Sequence, residues 1–413
     1  MDPAFNRKRW LLLALGVVVF LIAGVIYAWT NLNTPLIAFG WRDDALTFNY
    51  TLTVIFYALG GLLAGALAKK FSERTRLLAA AALFLIGFVG ASCLTAESSI
   101  LTLYFFYGFL LGSAIGIAFN IIVATMIKWF PDKKGLCSGI LLTGYGLGSF
   151  FIGLICGHLI SDGVMGWRAV YRLLGVIGFV IIAVGAVFIK APPADAPLPE
   201  AKSGKARSVY TDYTTREMMG TRSFWTLALC LLLMASIGLS VIGCSRSLLL
   251  SLGVGQDTAI FFASFISVMN SLGRLFTGTL ADRLGFDKTR SFGASLCVVA
   301  PAVTLAGILL GSAVVSIVGA MLCGFTYGFH ATLTSPTALD YFGPKNHSLN
   351  FSVLNANAVF IALFPTIFSK INLAFGGSYI PGLVFLIIVA AVALTFSLMT
   401  RRPSRAKVGA GNR

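Results

Sequence analysis

A chain of 413 residues that is 57% hydrophobic and only 11% charged cannot be a water-soluble protein, because it could not bury that much apolar surface in its own core. The formal charge of +16 could suggest a nucleic-acid-binding protein, but the basic residues lie at the ends of apolar segments, so we expect no nucleic-acid partner. The composition therefore predicts a protein whose solvent is the lipid bilayer.

Twelve apolar segments follow one another along the chain, and each is long enough to cross the ~30 Å hydrocarbon core of a bilayer as a helix. The first follows a basic N-terminus, as the apolar part of a signal peptide would, but it is too long and eleven more segments follow it. We therefore interpret it as the first transmembrane helix. The segments lie at about residues 10–38, 45–68, 77–96, 100–127, 135–160, 168–189, 223–250, 257–281, 290–310, 313–339, 348–373 and 378–400.

Residues 191–222 are the only long hydrophilic stretch between segments, and their prolines and mixed charges are typical of a linker. This linker divides the segments into six and six. The sequence thus predicts an all-α membrane protein with twelve transmembrane helices in two six-helix halves. Its parts are an N-terminal bundle at residues 1–190, a cytoplasmic linker at 191–222, a C-terminal bundle at 223–400 and a cytoplasmic tail at 401–413.

The Lys and Arg residues are concentrated on one predicted side of the membrane, and the positive-inside rule makes that side the cytoplasm. Of the 31, all but six lie at the two termini or in connections that follow even-numbered segments. We therefore predict a multi-pass protein of the cytoplasmic (inner) membrane with both termini in the cytoplasm. The exceptions are Arg42, Arg168, Arg172, Arg246 and Lys370 on the opposite side, and Arg274 within a segment.

Arg274 is the one basic residue in the interior of an apolar segment. It lies eight residues before Asp282, or about 12 Å inside the polar boundary on a helix that rises 1.5 Å per residue. A guanidinium keeps its proton, and a lone one at that depth costs roughly 3 kcal/mol to insert. No carboxylate lies one turn away, and the polar side chain at i−4 is the neutral amide of Asn270. We expect Arg274 to bind an anion; the alternative is an ion pair with a carboxylate of another helix.

The segment that carries Arg274 ends in a short glycine-rich and charged loop at residues 278–285, and a degraded copy of it follows the second segment at residues 65–70. The glycines allow a tight turn, and the charges can hold neighbouring helices together on the cytoplasmic side. Two six-helix halves with this loop resemble the major facilitator superfamily along the whole chain. The loop residues assigned to the motif are Gly278, Asp282, Arg283 and Gly285.

A second cluster lies at the cytoplasmic end of the fourth segment, where residues 128–139 read KWFPDKKGLCSG, and residues 144–148 of the fifth segment read GYGLG. Together they resemble the monocarboxylate transporter family, and more closely its bacterial branch with the oxalate/formate exchangers. We interpret the glycines as allowing the fourth and fifth segments to pack closely, whereas Tyr145 can also face a cavity. The structural residues of the first run are Trp129, Pro131 and Asp132.

The resemblance implies that Arg274 binds the substrate carboxylate, since it occupies the position of the family's arginine in the eighth segment. Animal monocarboxylate transporters carry an aspartate four residues before that arginine, where this chain has Asn270. Oxalate exchangers carry a second cation, a lysine of the eleventh segment, and that position falls at Ala358. A monoanionic substrate is therefore expected.

Five polar side chains on five segments lie at one depth near the bilayer midplane, when residues are counted from the nearest cytoplasmic charge. They are Asn120, Tyr145, Arg274, His330 and Asn355. Each alone can be structural and satisfied by a neighbouring helix, but together they favour a substrate cavity. Tyr327 can join them from one turn before His330, and Phe119 can supply an apolar wall. The predicted substrate-binding residues are Arg274, Asn270, Tyr327, Asn120, Phe119, Tyr145 and Asn355.

Proton coupling requires a titratable group that responds to the charge of the substrate. His330 is the only histidine deep within a segment, and the charge of Arg274 nearby would keep it neutral until a bound carboxylate favours its protonation. The alternatives are Asp257 at the outer end of the eighth segment, an acid that crosses already protonated, and a purely structural, neutral His330.

No motif in the sequence indicates catalysis, and the seven scattered cysteines form no CxxC pair, so we expect no catalytic residue, metal, cofactor or enzyme activity. One arginine with apolar walls and a few amide or phenol groups suits a short acid such as lactate or pyruvate. We therefore predict a secondary active transporter that moves a monocarboxylate with a proton by alternating access and functions as a monomer. The alternatives are an electroneutral oxalate/formate-type exchanger and a non-transporting membrane sensor.

Overall fold

The computed structural model describes residues 3–37, 41, 43–161, 163–193, 197–199 and 211–403, and over these residues all regular elements are helical, as predicted. Eleven helices are long and apolar enough to cross a membrane, and the helix that carries Arg274 is the twelfth. They are α1 (Phe5–Ile26), α2 (Phe48–Lys69), α3 (Glu73–Ser92), α4 (Ile100–Trp129), α5 (Lys134–Ile160), α6 (Trp167–Phe188), α7 (Arg222–Ser251), α8 (Gln256–Leu284), α9 (Phe286–Leu309), α10 (Ala313–Phe342), α11 (His347–Ala374) and α12 (Ile380–Met399).

Glycines set how closely these helices approach. In α4, a Cβ on Gly116 would lie 2.7 Å from the carbonyl carbon of Tyr57 in α2, so the two backbones are nearly in contact. The expectation that the glycines of residues 144–148 pack α5 against α4 is wrong. A Cβ on Gly144 would lie 2.8 Å from a methyl carbon of Val17, so that glycine allows close packing of α5 against α1.

Regular α geometry is interrupted in the middle of α4 and of α11. Tyr104–Leu111 of α4 form a π-helical stretch. α11 consists of three consecutive helical pieces, His347–Asn355, Ala358–Ile361 and Phe364–Ala374. The first break, at residues 356–357, directly follows Asn355 and precedes Ala358, so both of these positions lie where the regular hydrogen bonding is interrupted. Interrupted helices of this kind are common near the substrate sites of transporters.

The end of the linker is attached to the C-terminal part of the chain. Its short helix, Thr215–Met219, begins with a capping box in which Thr214 and Glu217 satisfy each other's backbone N–H groups. Just before it, the Tyr213 N–H donates to the carbonyl of Phe342, at 3.0 Å. The division of the chain into two six-helix halves stays a prediction, and residues 194–196, 200–210 and 404–413 of the predicted linker and tail lie outside the described residues.

Candidate substrate site

Arg274 lies in the middle of the helical assembly and is only 2% exposed. Its Nε donates to the Oδ1 of Asn270 at 3.2 Å, and its Nη1 donates to the backbone carbonyl of Leu142 in α5. Both acceptors are neutral. Within the described part of the chain Arg274 forms no ion pair, and its Nη2 has no hydrogen-bond acceptor. The guanidinium is thus held in place by neutral groups, and no described carboxylate offsets its charge.

Neighbouring glycines make room for this arginine. In α5, a Cβ on Gly146 would lie 3.3 Å from Nη1 of Arg274, and one on Gly139 would lie 2.7 Å from its carbonyl oxygen. In α10, a Cβ on Gly328 would lie 2.6 Å from the carbonyl carbon of Gly273. α8 is therefore packed tightly between α5 and α10 at the depth of Arg274, and larger residues at these glycines would displace it.

His330 of α10 lies between Gly328 and Thr332, which both contact the backbone of Arg274: a Cβ on Gly328 would lie 2.5 Å from its nitrogen, and the Thr332 hydroxyl donates to its carbonyl at 3.3 Å. The imidazole is 7% exposed, and neither of its ring nitrogens has a hydrogen-bond partner among the described residues. The ring of Tyr327, one turn earlier, lies 6.3 Å from it between centroids. A buried imidazole without partners is costly unless it binds water, a ligand or a proton, which makes His330 a candidate for function.

An aromatic cluster forms the wall on the side of α1, α2, α4 and α5. Phe119 stacks on Phe20 with a centroid distance of 5.1 Å and an interplanar angle of 3°. Tyr145 and Tyr57 each meet the Phe119 ring edge-on, at 5.3 and 5.4 Å. Tyr57 also accepts a hydrogen bond of 3.1 Å from Nδ2 of Asn355. The predicted residues Phe119, Tyr145 and Asn355 are thus brought together, and Tyr57 is a member that sequence reasoning missed.

Asn120 connects α4 to α11. Its Nδ2 donates to the Oγ of Ser352 at 2.6 Å and to the carbonyl of Ser348 at 3.2 Å, and its Oδ1 accepts from the Oγ of Ser348 at 2.8 Å. Both ends of the amide are therefore occupied by α11 in this conformation. The two serines were not predicted, although their spacing of four residues places them on one helical face.

Asp282 connects α8 to α5 at the predicted cytoplasmic face. Its two carboxylate oxygens each accept a backbone N–H of the first turn of α5, from Gly135 and Leu136, at 2.8 Å. A carboxylate at a helix N-terminus satisfies free N–H groups and complements the helix dipole. Gly285 ends α8 with φ of 86°, a conformation that favours glycine, while Arg283 is exposed.

The residues of the run at 128–139 connect the ends of α1, α4 and α6. Asp132, after Pro131, forms a buried ion pair with Arg9, at 2.7 Å between Oδ1 and Nη1. The indole N–H of Trp129 donates to the carbonyl of Lys190 at 2.8 Å. These bonds hold together helix ends within the predicted N-terminal half, whereas the contacts of Asn120 and Asp282 join the two predicted halves. The side chain of Asp257 lies outside the described residues.

Helices of this length and composition, packed around a buried cation, are typical of a multi-pass membrane transporter. The chain belongs to the Major Facilitator Superfamily, whose sequence profile matches residues 11–365. The resemblance to this superfamily that the sequence motifs indicated is therefore confirmed.

Relatives in the sequence comparison include both branches that the motifs resemble. The chain is 29% identical over 362 residues to the uncharacterized MFS-type transporter YhjX of Escherichia coli, covering 86% of each chain. It is 29% identical over 364 residues to the oxalate:formate antiporter of Oxalobacter formigenes, covering 86% of this chain and 83% of the relative. To monocarboxylate transporter 12-B of Danio rerio it is 27% identical over 239 residues, covering 51% of this chain and 49% of the relative.

Solved structures share the fold. The proton:xylose symporter XylE aligns with a TM-score of 0.72 at 13% identity and covers 97% of this chain and 96% of its own. The Escherichia coli fucose:proton symporter FucP aligns with a TM-score of 0.66 at 15% identity and covers 96% of this chain and 100% of its own. At such identity the likeness concerns the fold alone, and it agrees with twelve transmembrane helices.

Proposed function

We propose that this protein is a secondary active transporter that moves a short monocarboxylate, such as lactate or pyruvate, together with a proton. The observation that carries the proposal is Arg274: a guanidinium, 2% exposed, whose described partners are neutral oxygens. A buried cation without a carboxylate is stabilised by binding an anion, and a guanidinium can bind a carboxylate through two parallel hydrogen bonds.

The residues that the sequence assigns to the substrate site suit a small, partly apolar acid. The aromatic cluster around Phe119 offers an apolar wall, while Asn270, Tyr145, Tyr327 and Asn355 provide amide and phenol groups for a hydroxyl or keto oxygen. Binding a monoanion makes the site nearly neutral, which favours closure of the helices around it and so alternating access. In this reading Asn120, held by two serines of α11, contributes to the closed cytoplasmic side.

His330 is proposed as the proton carrier. It is buried near Arg274 and has no hydrogen-bond partner among the described residues, so a bound carboxylate could stabilise its protonated form. Asp257, at the predicted outer end of α8, is the next candidate.

A second candidate function is the exchange of two carboxylates, as in the relative named as an oxalate:formate antiporter. A dianion such as oxalate needs a second cation, and the position that resemblance assigns to it is Ala358, a half-buried residue at the break in α11. With a neutral residue there, a monoanion fits the site better.

Transport by the purified protein in proteoliposomes tests these alternatives. Labelled lactate, pyruvate, formate and oxalate are offered with and without an inwardly directed proton gradient, and exchange is measured with each acid inside. We expect lactate or pyruvate uptake that is driven by the proton gradient. Obligatory exchange of oxalate for formate, insensitive to the gradient, would contradict the proposal and favour the antiporter.

We further propose the orientation and organisation that the charges predict. Both termini lie in the cytoplasm of an inner-membrane protein, the halves at residues 1–190 and 223–400 move relative to each other, and a monomer is the functional unit. Labelling of cysteines introduced near each terminus, with a membrane-impermeant reagent, tests the orientation.

A further inference from the structure

An open cavity of about 470 Å³ lies between the ends of α9 and α12 on the predicted cytoplasmic face, away from the substrate site. Its charged residues are Asp287, Lys288 and Arg290 of α9 together with Arg401 and Arg402, which directly follow α12. Four cations thus face one carboxylate. Nothing in the proposed transport cycle uses these groups.

One of the cations is part of the cavity's framework. Arg290 is 2% exposed and donates from Nη1 to the Oδ1 of Asp287 at 2.9 Å and to the hydroxyl oxygen of Tyr341 at 3.1 Å. Its Nη2 donates to the carbonyls of Ser397 and Thr400, at 3.3 and 3.2 Å. Arg290 thereby balances the charge of Asp287 and fixes the end of α12 against α9.

Two of the remaining cations have no carboxylate partner among the described residues. Lys288 and Arg401 are exposed and form no ion pair within the described part of the chain, whereas Arg402 donates to the carbonyl of Asp340 at 2.8 Å and lies 3.8 Å from its carboxylate. The hydroxyls of Ser291 and Ser397, 3.2 Å apart, add hydrogen-bonding groups to the same cavity. The cavity therefore suits an anion with several acceptor oxygens.

Exposed apolar side chains lie at and beside the cavity. Leu398, which lines the cavity, is 67% exposed, and its neighbour Met399 is 42% exposed. Phe292 of α9, close to the cavity in sequence, is 47% exposed. Side chains of this kind at a membrane helix end are in contact with acyl chains. A ligand that is anionic at one end and apolar at the other matches both parts of the surface.

We propose that this cavity binds the phosphate headgroup of an anionic phospholipid, with Lys288 and Arg401 as the principal contacts to the phosphate. Basic pockets between helix ends on the cytoplasmic side are typical sites for anionic lipids. Free phosphate would share the chemistry of the headgroup, but the exposed apolar side chains at and beside the cavity favour the lipid.

The test measures lipid binding by the delipidated, detergent-solubilised protein and needs no knowledge of the transported acid. Phosphatidylglycerol, phosphatidylcholine with the same acyl chains and inorganic phosphate are titrated separately, and bound lipid is counted by native mass spectrometry. We expect saturable binding of phosphatidylglycerol and weaker binding of phosphatidylcholine. Inorganic phosphate should not compete with phosphatidylglycerol for the site. In the double variant Lys288→Gln/Arg401→Gln, the affinity for phosphatidylglycerol should fall about 25-fold, corresponding to about 1 kcal/mol for each charge.

The matched control is Lys69→Gln/Lys70→Gln, which removes two exposed cations from the end of α2 on the same predicted face. It should bind phosphatidylglycerol as the parent does. Because Lys288 and Arg401 are exposed, both double variants should unfold thermally at the parental temperature without lipid. Equal loss in the two variants, equal binding of both lipids, or full competition by inorganic phosphate would each overturn the proposal.

Discussion

Asn270 and Arg274 lie one helical turn apart in α8 and are joined by a hydrogen bond of 3.2 Å from the guanidinium Nε to the amide Oδ1. The amide orients the guanidinium without neutralising it, which a carboxylate at the same position would do. The carbonyl of Leu142 acts in the same way from α5. The charge of this buried arginine is therefore left for a ligand, and the predictions below depend on that arrangement.

Replacing Arg274 should weaken substrate binding while leaving the protein folded. Hydrogen bonds to a charged group contribute about 1.5–3 kcal/mol, so Arg274→Ala should weaken lactate binding by roughly tenfold to a hundredfold. Arg274→Lys keeps the charge but loses the planar fork, and should also bind more weakly than the parent. Binding and proteoliposome uptake are measured beside Arg216→Ala, an exposed arginine of the linker helix. Parental uptake by a folded Arg274→Ala protein would refute the anion-binding role.

Asn270→Asp should make uptake depend more steeply on pH. An ionised carboxylate one turn from Arg274 would pair with it and compete with the substrate, whereas a protonated one would release the guanidinium. We expect lactate binding in this variant to be about tenfold weaker at pH 8 than at pH 6, with a smaller difference in the parent. Asn270→Ser, which cannot ionise, is the control. An equal pH dependence in the two variants would show that residue 270 does not act on Arg274.

Ala358→Lys should shift the preference from monocarboxylates toward dicarboxylates. A second cation at the break in α11 would offset the second charge of oxalate, and we expect the ratio of oxalate to lactate uptake to rise about tenfold, or 1.4 kcal/mol. Ala358→Met is the control, since it adds similar length without charge. An unchanged ratio in the lysine variant, or oxalate binding in the parent as tight as that of lactate, would contradict a site with a single cation.

His330→Gln separates proton coupling from substrate translocation. If His330 carries the proton, uptake driven by a pH gradient should fall to the level without a gradient, while counterflow of lactate continues. His158→Gln, at an exposed histidine of α5, is the matched substitution and should keep gradient-driven uptake. Gradient-driven uptake that persists in His330→Gln would leave His330 a structural residue, and Asp257→Asn would be the next variant.

Removing the carboxylate of Asp282 should weaken the contact between α8 and α5. An N-cap interaction contributes about 1 kcal/mol, and this one also holds the predicted cytoplasmic side closed, so Asp282→Ala should lower the thermal unfolding midpoint. Asp340→Ala removes a carboxylate whose pair with Arg402 is longer, at 3.8 Å, and should have a smaller effect. Equal midpoints for the parent and Asp282→Ala would show that the two backbone bonds do not contribute.

The sequence by itself determined the twelve transmembrane segments, the superfamily and the buried position of Arg274. These are local properties: the length of an apolar run is compared with the thickness of the bilayer, and the cost of one charge is compared with its depth. It could also show that Arg274 has no carboxylate within its own helix. The segment boundaries agree with the helices to within a few residues at most ends.

Only the tertiary structure decided which side chains meet. Asn120 and Ser348 are 228 residues apart, and their contact depends on the rotation of α4 and α11 about their axes. For the same reason the glycine at position 144 faces α1 where α4 was expected, and Tyr57 joins the aromatic wall. Hydropathy does not show how a helix is rotated, because side chains facing a neighbouring helix and side chains facing lipid are both apolar in a membrane protein.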